Sequence, residues 1–186
     1  MPRPSAAEVA DRSLVLYALA RRAAIEVALE EFGDEPVRMA QAERARIETD
    51  RWLERESLSG AVTDVEARLL AAPSGSWPRA AVMDGMWRKE ALGVLLWSLQ
   101  HVPVLPPPEE EFEQSVLETV ITRYGSVPSF RANGLPRGDR EIEEAWLTAD
   151  AWLGMTEDGE DQVTASINAE RFRALGWLRD GSAPSP

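Results

Sequence analysis

A glutamate within a strongly apolar segment is the residue whose type and position could do chemistry. The segment WRKEALGVLLWSL covers residues 87–99, and Glu90 lies three residues after Trp87 and four before Val94. At helical spacing these side chains share one flank, so Glu90 is predicted to be buried. Because a buried carboxylate is costly to keep ionised without a partner, Glu90 should either form an ion pair or act as an acid or base in a polar pocket.

The sequence lacks the residue sets of other common active sites. There is no cysteine and His101 is the only histidine, so thiolate sites and two-histidine metal sites are excluded. Neither a Gly-x-Ser-x-Gly elbow nor a Gly-x-x-x-x-Gly-Lys phosphate loop is present. TEDGEDQ at 156–162 does not follow the calcium-loop register, so it is expected to be a solvated loop. We therefore predict no metal and no cofactor, and we place His101 at a helix C-terminus, facing the dipole.

Tryptophans are frequent and could serve either the core or a site. A tryptophan buries about 150–250 Å², and tryptophans concentrate in interface hot spots. The simplest interpretation is core packing, and the alternative is an aromatic pocket or a patch that faces a partner. The candidates, on the predicted central, sixth and last helices, are Trp87, Trp97, Trp146, Trp152 and Trp177.

The periodicity of apolar residues predicts an all-α fold. It indicates a single-domain helical bundle of about six or seven helices around a central apolar helix at 79–100. Capping boxes at Ser5–Glu8 and Thr63–Glu66 mark two helix starts, and YGSVPSFRANGLPRG at 124–138 is predicted to be a long connection. One all-α domain therefore spans 5–180, and 181–186 form a loose tail.

The charge balance indicates which classes of partner the protein can attract. The 186 residues include 20 basic and 32 acidic side chains, giving a net charge of −12. Such a surface repels nucleic acid and anionic membranes, whereas it attracts a basic protein. The N-terminus lacks a signal-peptide pattern and no segment reaches the ~20 apolar residues of a membrane span, so a cytoplasmic protein is expected. Lys89 is the only lysine, which suggests a GC-rich genome. The oligomeric state stays open.

Four segments resemble a known family. They are DRSLVLYALARRAAIE at 11–26, LSGAVTDVEARLL at 58–70, WRKEALGVLLWSLQHVPVLPPP at 87–108 and NAERFRALGWL at 168–178. In order and spacing they resemble domain of unknown function family 4272, a bacterial family. Ser98 and Gly176 depart from its pattern, which has Ala and Asn there. The resemblance implies a fold but no activity, and it carries over no catalytic residue. Charged residues that match the pattern include Arg12, Glu66, Arg88, Glu90, Glu170 and Arg171.

The arginines of the outer segments are the candidate partners of Glu90. Arg12 and Arg171 lie on the first and last predicted helices, so a structural ion pair would lock these helices to the central one. The alternative is a polar pocket in which Glu90 acts as an acid or base and the carboxylates Glu66 and Glu170 join it. The candidate polar core or pocket comprises Arg12, Glu66, Arg88, Glu90, Glu170 and Arg171.

Together these features favour a non-enzymatic protein-interaction module. Acidic segments at 109–113 and 157–161 lie beside aromatic helices and could bind a basic protein, for example as an immunity protein binds a toxin. The alternative is a small-molecule-binding protein or an enzyme with a carboxylate pocket around Glu90. A closed core with Glu90 paired to arginine would favour interaction, and a wet pocket with unpaired carboxylates would favour chemistry.

Overall fold

The computed structural model describes residues 3–32, 35–156 and 162–181. In these ranges the chain forms eight α-helices, one short 3₁₀ turn at Ser59–Ala61 and no strand, so the predicted all-α bundle is confirmed. The helices are α1 (Ala6–Phe32), α2 (Pro36–Arg55), α3 (Asp64–Ala71), α4 (Arg79–Ser98), α5 (Gln114–Thr122), α6 (Val127–Ala132), α7 (Asp139–Thr156) and α8 (Gln162–Asp180).

Local side-chain bonds begin two of these helices, as their capping boxes predict. At the start of α1, the Ser5 backbone N–H donates to Glu8 Oε2 at 2.8 Å, and the Glu8 N–H donates to Ser5 Oγ at 3.3 Å. At the start of α3, Thr63 and Glu66 exchange the same two bonds at 3.0 and 3.3 Å. Each box satisfies backbone donors that have no partner inside the helix.

Helix α4 lies at the centre of the bundle and packs against α1 and α8. Twelve of its residues are buried, including an unbroken run from Glu90 to Ser98. Helices α7 and α8 also pack together, and α8 therefore joins α7 to the core. The central position predicted for residues 79–100 is confirmed.

The segment after α4 leaves the helix through a left-handed residue. Gln100 has φ +59°, the His101 N–H donates to the Leu96 carbonyl at 2.9 Å, and the Gln100 N–H donates to the Trp97 carbonyl at 2.9 Å. This pattern closes the last turn of a helix and redirects the chain. The proline-rich segment 103–108 then runs back along the bundle to Phe112, which is buried.

Two boundaries differ from the sequence prediction. The predicted connection at 124–138 contains α6, which Ser126 caps by accepting from the Ser129 N–H at 3.3 Å, with Pro128 in the first turn. This short helix is held by two buried side chains, Val127 and Phe130, so packing rather than periodicity makes it. The apolar spacing predicts that the last helix begins at about Ser166 or Asn168, whereas α8 begins at Gln162. Residues 157–161 and 182–186, which make up most of the predicted solvated loop and of the predicted tail, lie outside the described residues.

Gly93 lets Phe112 pack directly on α4. A Cβ at Gly93 would lie 2.3 Å from two ring carbons of Phe112, which is only 6% exposed. We expect Gly93→Ala to lower the free energy of unfolding by about 1–3 kcal/mol, because an overpacked core must shift side chains or backbone. Urea titration measures the change.

The matched control for this substitution is Gly154→Ala in α7, where an added Cβ meets nothing within 4 Å. It gains the helix propensity of alanine without the clash, so it should raise stability slightly. Equal stability changes in the two variants would contradict the close packing at Gly93.

Candidate functional site

Glu90 of α4 and Arg171 of α8 form a fully buried ion pair. Glu90 is 0% and Arg171 5% exposed, and Arg171 Nε and Nη2 lie 2.9 and 2.8 Å from Glu90 Oε2. The other oxygen, Glu90 Oε1, accepts the backbone N–H of Phe112 at 2.9 Å. Arg171 is one of the two partners that the sequence predicts for Glu90.

The same arginine fixes the backbone of the proline-rich segment. Arg171 Nη1 donates to the carbonyls of Pro106 and Pro107, both at 3.0 Å, and Nη2 donates to the Glu110 carbonyl at 2.5 Å. Its guanidinium also lies 5.1 Å from the centre of the Phe112 ring. A guanidinium has five N–H donors in a rigid fork, and here they hold one carboxylate and three carbonyls. The pair is therefore the anchor of residues 106–112.

Glu90 is engaged in structure rather than free for chemistry. Burial raises the pKa of Glu90, whereas the charge of Arg171 and the bond from the Phe112 N–H act in the opposite direction. Both oxygens already accept bonds from groups that would otherwise be buried without partners. A substrate proton would need an accessible oxygen, so this geometry gives no support to Glu90 as an acid or base.

Arg88 and Glu170 add a second link between α4 and α8. Arg88 Nη1 lies 3.4 Å from Glu170 Oε2, and both residues are buried. The other oxygen of Glu170 lies 2.9 Å from Nη2 of Arg173, one turn further along α8. Four of the six predicted residues thus lie at one helix contact.

Arg12 and Glu66 form a separate buried pair, which corrects the expectation that Arg12 joins the Glu90 site. Arg12 Nη1 and Nη2 lie 2.7 and 2.5 Å from the two oxygens of Glu66, and Nη1 also donates to the Ala61 carbonyl at 2.9 Å. Burial alone would raise the pKa of Glu66, but the Arg12 and Thr63 bonds outweigh it and the pKa is lowered. This ion pair therefore links α1 to α3, whereas the Glu90–Arg171 pair links α4 to α8.

The five tryptophans do not form one exposed patch. Trp97 is buried and lies under the guanidinium of Arg137 at 4.7 Å, and Trp87 is 6.0 Å from the Lys89 amine. Trp146 packs against Phe172 at 5.3 Å, and Arg179 covers its ring at 3.7 Å. Trp152 is half-buried, and Trp177 packs partly buried against the core. Trp97 is thus buried in the core, and the other four tryptophans are half-buried at its edge.

His101 lies at the C-terminal end of α4, where the sequence places it, and its ring is buried in a cluster with Tyr124 and Phe130. Its Nδ1 is 2.7 Å from the Tyr124 hydroxyl, and Nε2 has no partner within the described residues. Burial lowers the pKa of His101, and the charge of Arg123 lowers it further. Both effects favour the neutral imidazole in the folded protein.

This environment predicts a pH dependence of stability. The unfolded chain binds a proton near pH 6.5 and the folded chain does so only at lower pH, so stability is present above about 6.5 and is lost as pH falls towards the folded pKa. The urea concentration at the midpoint of unfolding should therefore decrease as the pH is lowered from about 7.5 to about 5. In His101→Gln this urea midpoint should depend less on pH. An unchanged pH dependence would show that carboxylates cause it.

The structure also contains a surface groove that the sequence did not predict. It has a volume of about 640 Å³ and is lined by parts of α1, α2, α5 and α6 with the turn before α6. None of the six predicted charged residues lines it; instead it presents Arg21, Arg51 and Arg55. The signal in the sequence was the grouping of Arg51, Trp52 and Arg55 on a helix with few apolar residues. Trp52 directly follows Arg51, and Arg55 lies four residues after Arg51, on the same helix face.

The comparisons with known proteins identify a family and no activity. No curated protein and no solved structure matches the chain. Among the described residues, no helix combines the length and apolarity needed to cross a bilayer. The sequence profile of the Domain of unknown function (DUF4272) matches residues 2–184. The order of the four resembling segments and this match over nearly the whole length agree: the chain belongs to the DUF4272 family.

Proposed function

We propose that this protein is a non-enzymatic interaction module that binds a basic protein through residues 109–113, here called the acidic loop. The observation that carries the proposal is the anchor beneath it: Arg171 and Glu90 hold the loop backbone at Glu110 and Phe112. The carboxylates of Glu109, Glu110, Glu111 and Glu113 are exposed on this fixed backbone.

The fixed backbone lowers the cost of binding. A mobile acidic segment must lose conformational freedom when it meets a partner, and a loop that is already ordered does not. Glu111 pairs with Lys89, while Glu109, Glu110 and Glu113 form no ion pair with any described residue. Three carboxylates are thus available to the arginines or lysines of a partner.

The charge of the whole chain supports the same partner class. A net charge of −12 accelerates encounter with a basic protein and opposes duplex nucleic acid. The proposal includes a cytoplasmic, bacterial setting, and its narrowest form is an immunity protein that neutralises a basic toxin. The other acidic segment, 157–161, lies outside the described residues, so the argument rests on 109–113 alone.

The experiment compares two triple variants as baits in extracts of the native host. One replaces Glu109, Glu110 and Glu113 by Gln; the control is Glu54→Gln, Asp84→Asn and Asp150→Asn, which removes the same charge at other exposed positions. A captured protein is identified by mass spectrometry, purified and titrated against each bait by calorimetry. Raising salt to about 0.5 M shortens the screening length to about 4 Å and should weaken the complex.

The expected result is a basic protein that binds the wild type and the control but binds the loop variant at least about tenfold more weakly, as loss of charged rim contacts predicts. A labelled DNA duplex should not bind any of the three. The proposal is contradicted if the chain emerges alone at low salt, if both triple variants lose affinity equally, or if duplex DNA binds in a salt-sensitive way.

A further inference from the structure

The 640 Å³ groove has the shape and lining of a site for a small molecule. Its volume falls within the roughly 300–1,000 Å³ typical of ligand pockets. Buried side chains, among them Leu14 of α1 and Phe130 of α6, form its floor, and the half-buried rings of Tyr17 and Trp52 line its walls. None of the acidic-loop residues lines it, so it is a different surface from the one that we propose for a protein partner.

The side chains at the mouth of this groove carry a positive charge, opposite in sign to the net charge of the protein. Arg21, Arg51 and Arg55 line it and are exposed, and Glu48 is the one acidic residue in the lining. The lining therefore carries about two net positive charges, three arginines against one glutamate, in a chain of net charge −12. Helices α1 and α2 supply these arginines from two sides of the same groove.

The three guanidiniums are only weakly engaged by other groups. Arg55 lies 3.4 Å from a carboxylate oxygen of Glu56, with 66% of its side chain exposed. Arg21 neighbours the Tyr17 hydroxyl, whose pKa is raised by burial and lowered in part by that arginine. Arg51 forms no ion pair with any described residue. By contrast Arg12, Arg22 and Arg171 are buried and committed to carboxylates.

We infer that this groove binds an organic anion with a carboxylate or phosphate head and an apolar body. Guanidiniums form two parallel hydrogen bonds with either head group, and Arg51 and Arg55 are one helical turn apart and share a face. The apolar floor and the Tyr17 and Trp52 rings receive the body of the ligand, which removes apolar surface from water. A free inorganic anion would leave this floor unfilled, and an uncharged apolar compound would leave the arginines unused.

The test uses anilinonaphthalene sulfonate, a fluorescent organic anion, as the probe. The groove variant is Arg51→Gln with Arg55→Gln, and the matched control is Arg44→Gln with Arg68→Gln, two exposed arginines outside the lining. Near-ultraviolet circular dichroism confirms that the side chains of each protein are packed before titration, because this probe also binds partly folded chains that keep their helices. Dodecanoate, dodecyl phosphate and dodecyltrimethylammonium then compete for the bound probe.

The expected result is saturable binding to the wild type and the control, and a dissociation constant at least about tenfold higher for the groove variant, as loss of hydrogen bonds to a charged group predicts. Both anionic competitors should displace the probe, and the cation with the same chain should not. If the groove variant does not fold, the wild type is titrated between about 0.05 and 0.5 M salt, where affinity should fall several-fold.

Three outcomes would overturn the inference. They are absence of saturable probe binding to the folded wild type, equal affinity of the groove and control variants, and displacement by the cation as effective as by the anions. The last of these would show that apolar contact alone holds the probe. Preference for dodecyl phosphate over dodecanoate, or the reverse, would identify the head group within the proposed class.

Discussion

Glu90→Gln is expected to lower the free energy of unfolding by about 3–5 kcal/mol, the usual cost of removing one member of a buried ion pair. The substitution leaves Arg171, 5% exposed, without its carboxylate. The carboxylate now accepts from Phe112 with one oxygen and from Arg171 with the other, whereas in the amide one of these positions becomes an NH2 group that donates and so faces another donor. Urea titration measures the loss, and the amide proton of Phe112 should exchange faster with deuterium because the acidic loop is released from its anchor.

Glu113→Gln is the control for this prediction. Glu113 is exposed on the same loop and its change should stay within about 0.5 kcal/mol, as for most surface substitutions. The double variant Glu90→Leu with Arg171→Met removes both charges and should recover part of the stability. It should not restore slow exchange in the loop, since the carbonyls of Pro106 and Pro107 keep no donor. A melting temperature for Glu90→Gln equal to that of the wild type would refute the anchor.

Leu96→Ala is the second large effect that we expect, with a loss of about 2–5 kcal/mol. Leu96 is 0% exposed on α4, the helix that packs against both α1 and α8. Three packed helices cannot collapse freely onto the space left by the removed carbons, so a cavity should remain. Urea titration and the thermal midpoint both report the change.

The matched control is Leu147→Ala in α7, where the leucine is 53% exposed. Since its side chain is largely in water already, the same truncation should cost little. A loss under about half a kcal/mol for Leu96→Ala, or an equal loss for both leucines, would contradict the central position of α4.

The parts of this structure that the sequence predicted correctly depend on local signals. The capping boxes at Ser5 and Thr63 and the apolar run of α4 each lie within a few residues of the feature that they predict. The missed helix α6 is six residues long and contains Pro128, so no periodicity could develop in it. Its side chains are held by packing against distant parts of the chain, which spacing along the sequence does not report.

The same dependence on local signals explains which parts of the candidate site the sequence predicted. Burial of Glu90 was predictable from its neighbours and required a cationic partner, which made Arg171 a reasonable choice among few candidates. Arg12 was misassigned because the choice between two buried carboxylates depends on how α1 lies against α3. The groove is a gap between helices, and the grouping of Arg51, Trp52 and Arg55 on α2 does not by itself show that other helices leave a gap beside it. Arg21, Arg51 and Arg55 therefore resembled ordinary solvated arginines.

The long sequence separation between Arg171 and the residues that it holds affects when the acidic loop becomes ordered during synthesis. Arg171 lies 81 residues after Glu90 and 61 after Glu110, whose carbonyl it holds. While the chain is being translated, the acidic loop leaves the ribosome long before the residue that fastens it. An unfinished chain therefore displays the carboxylates of 109–113 without the rigid backbone beneath them. On the proposed function, a product that ends before Arg171 would present its charges but compete poorly for the partner.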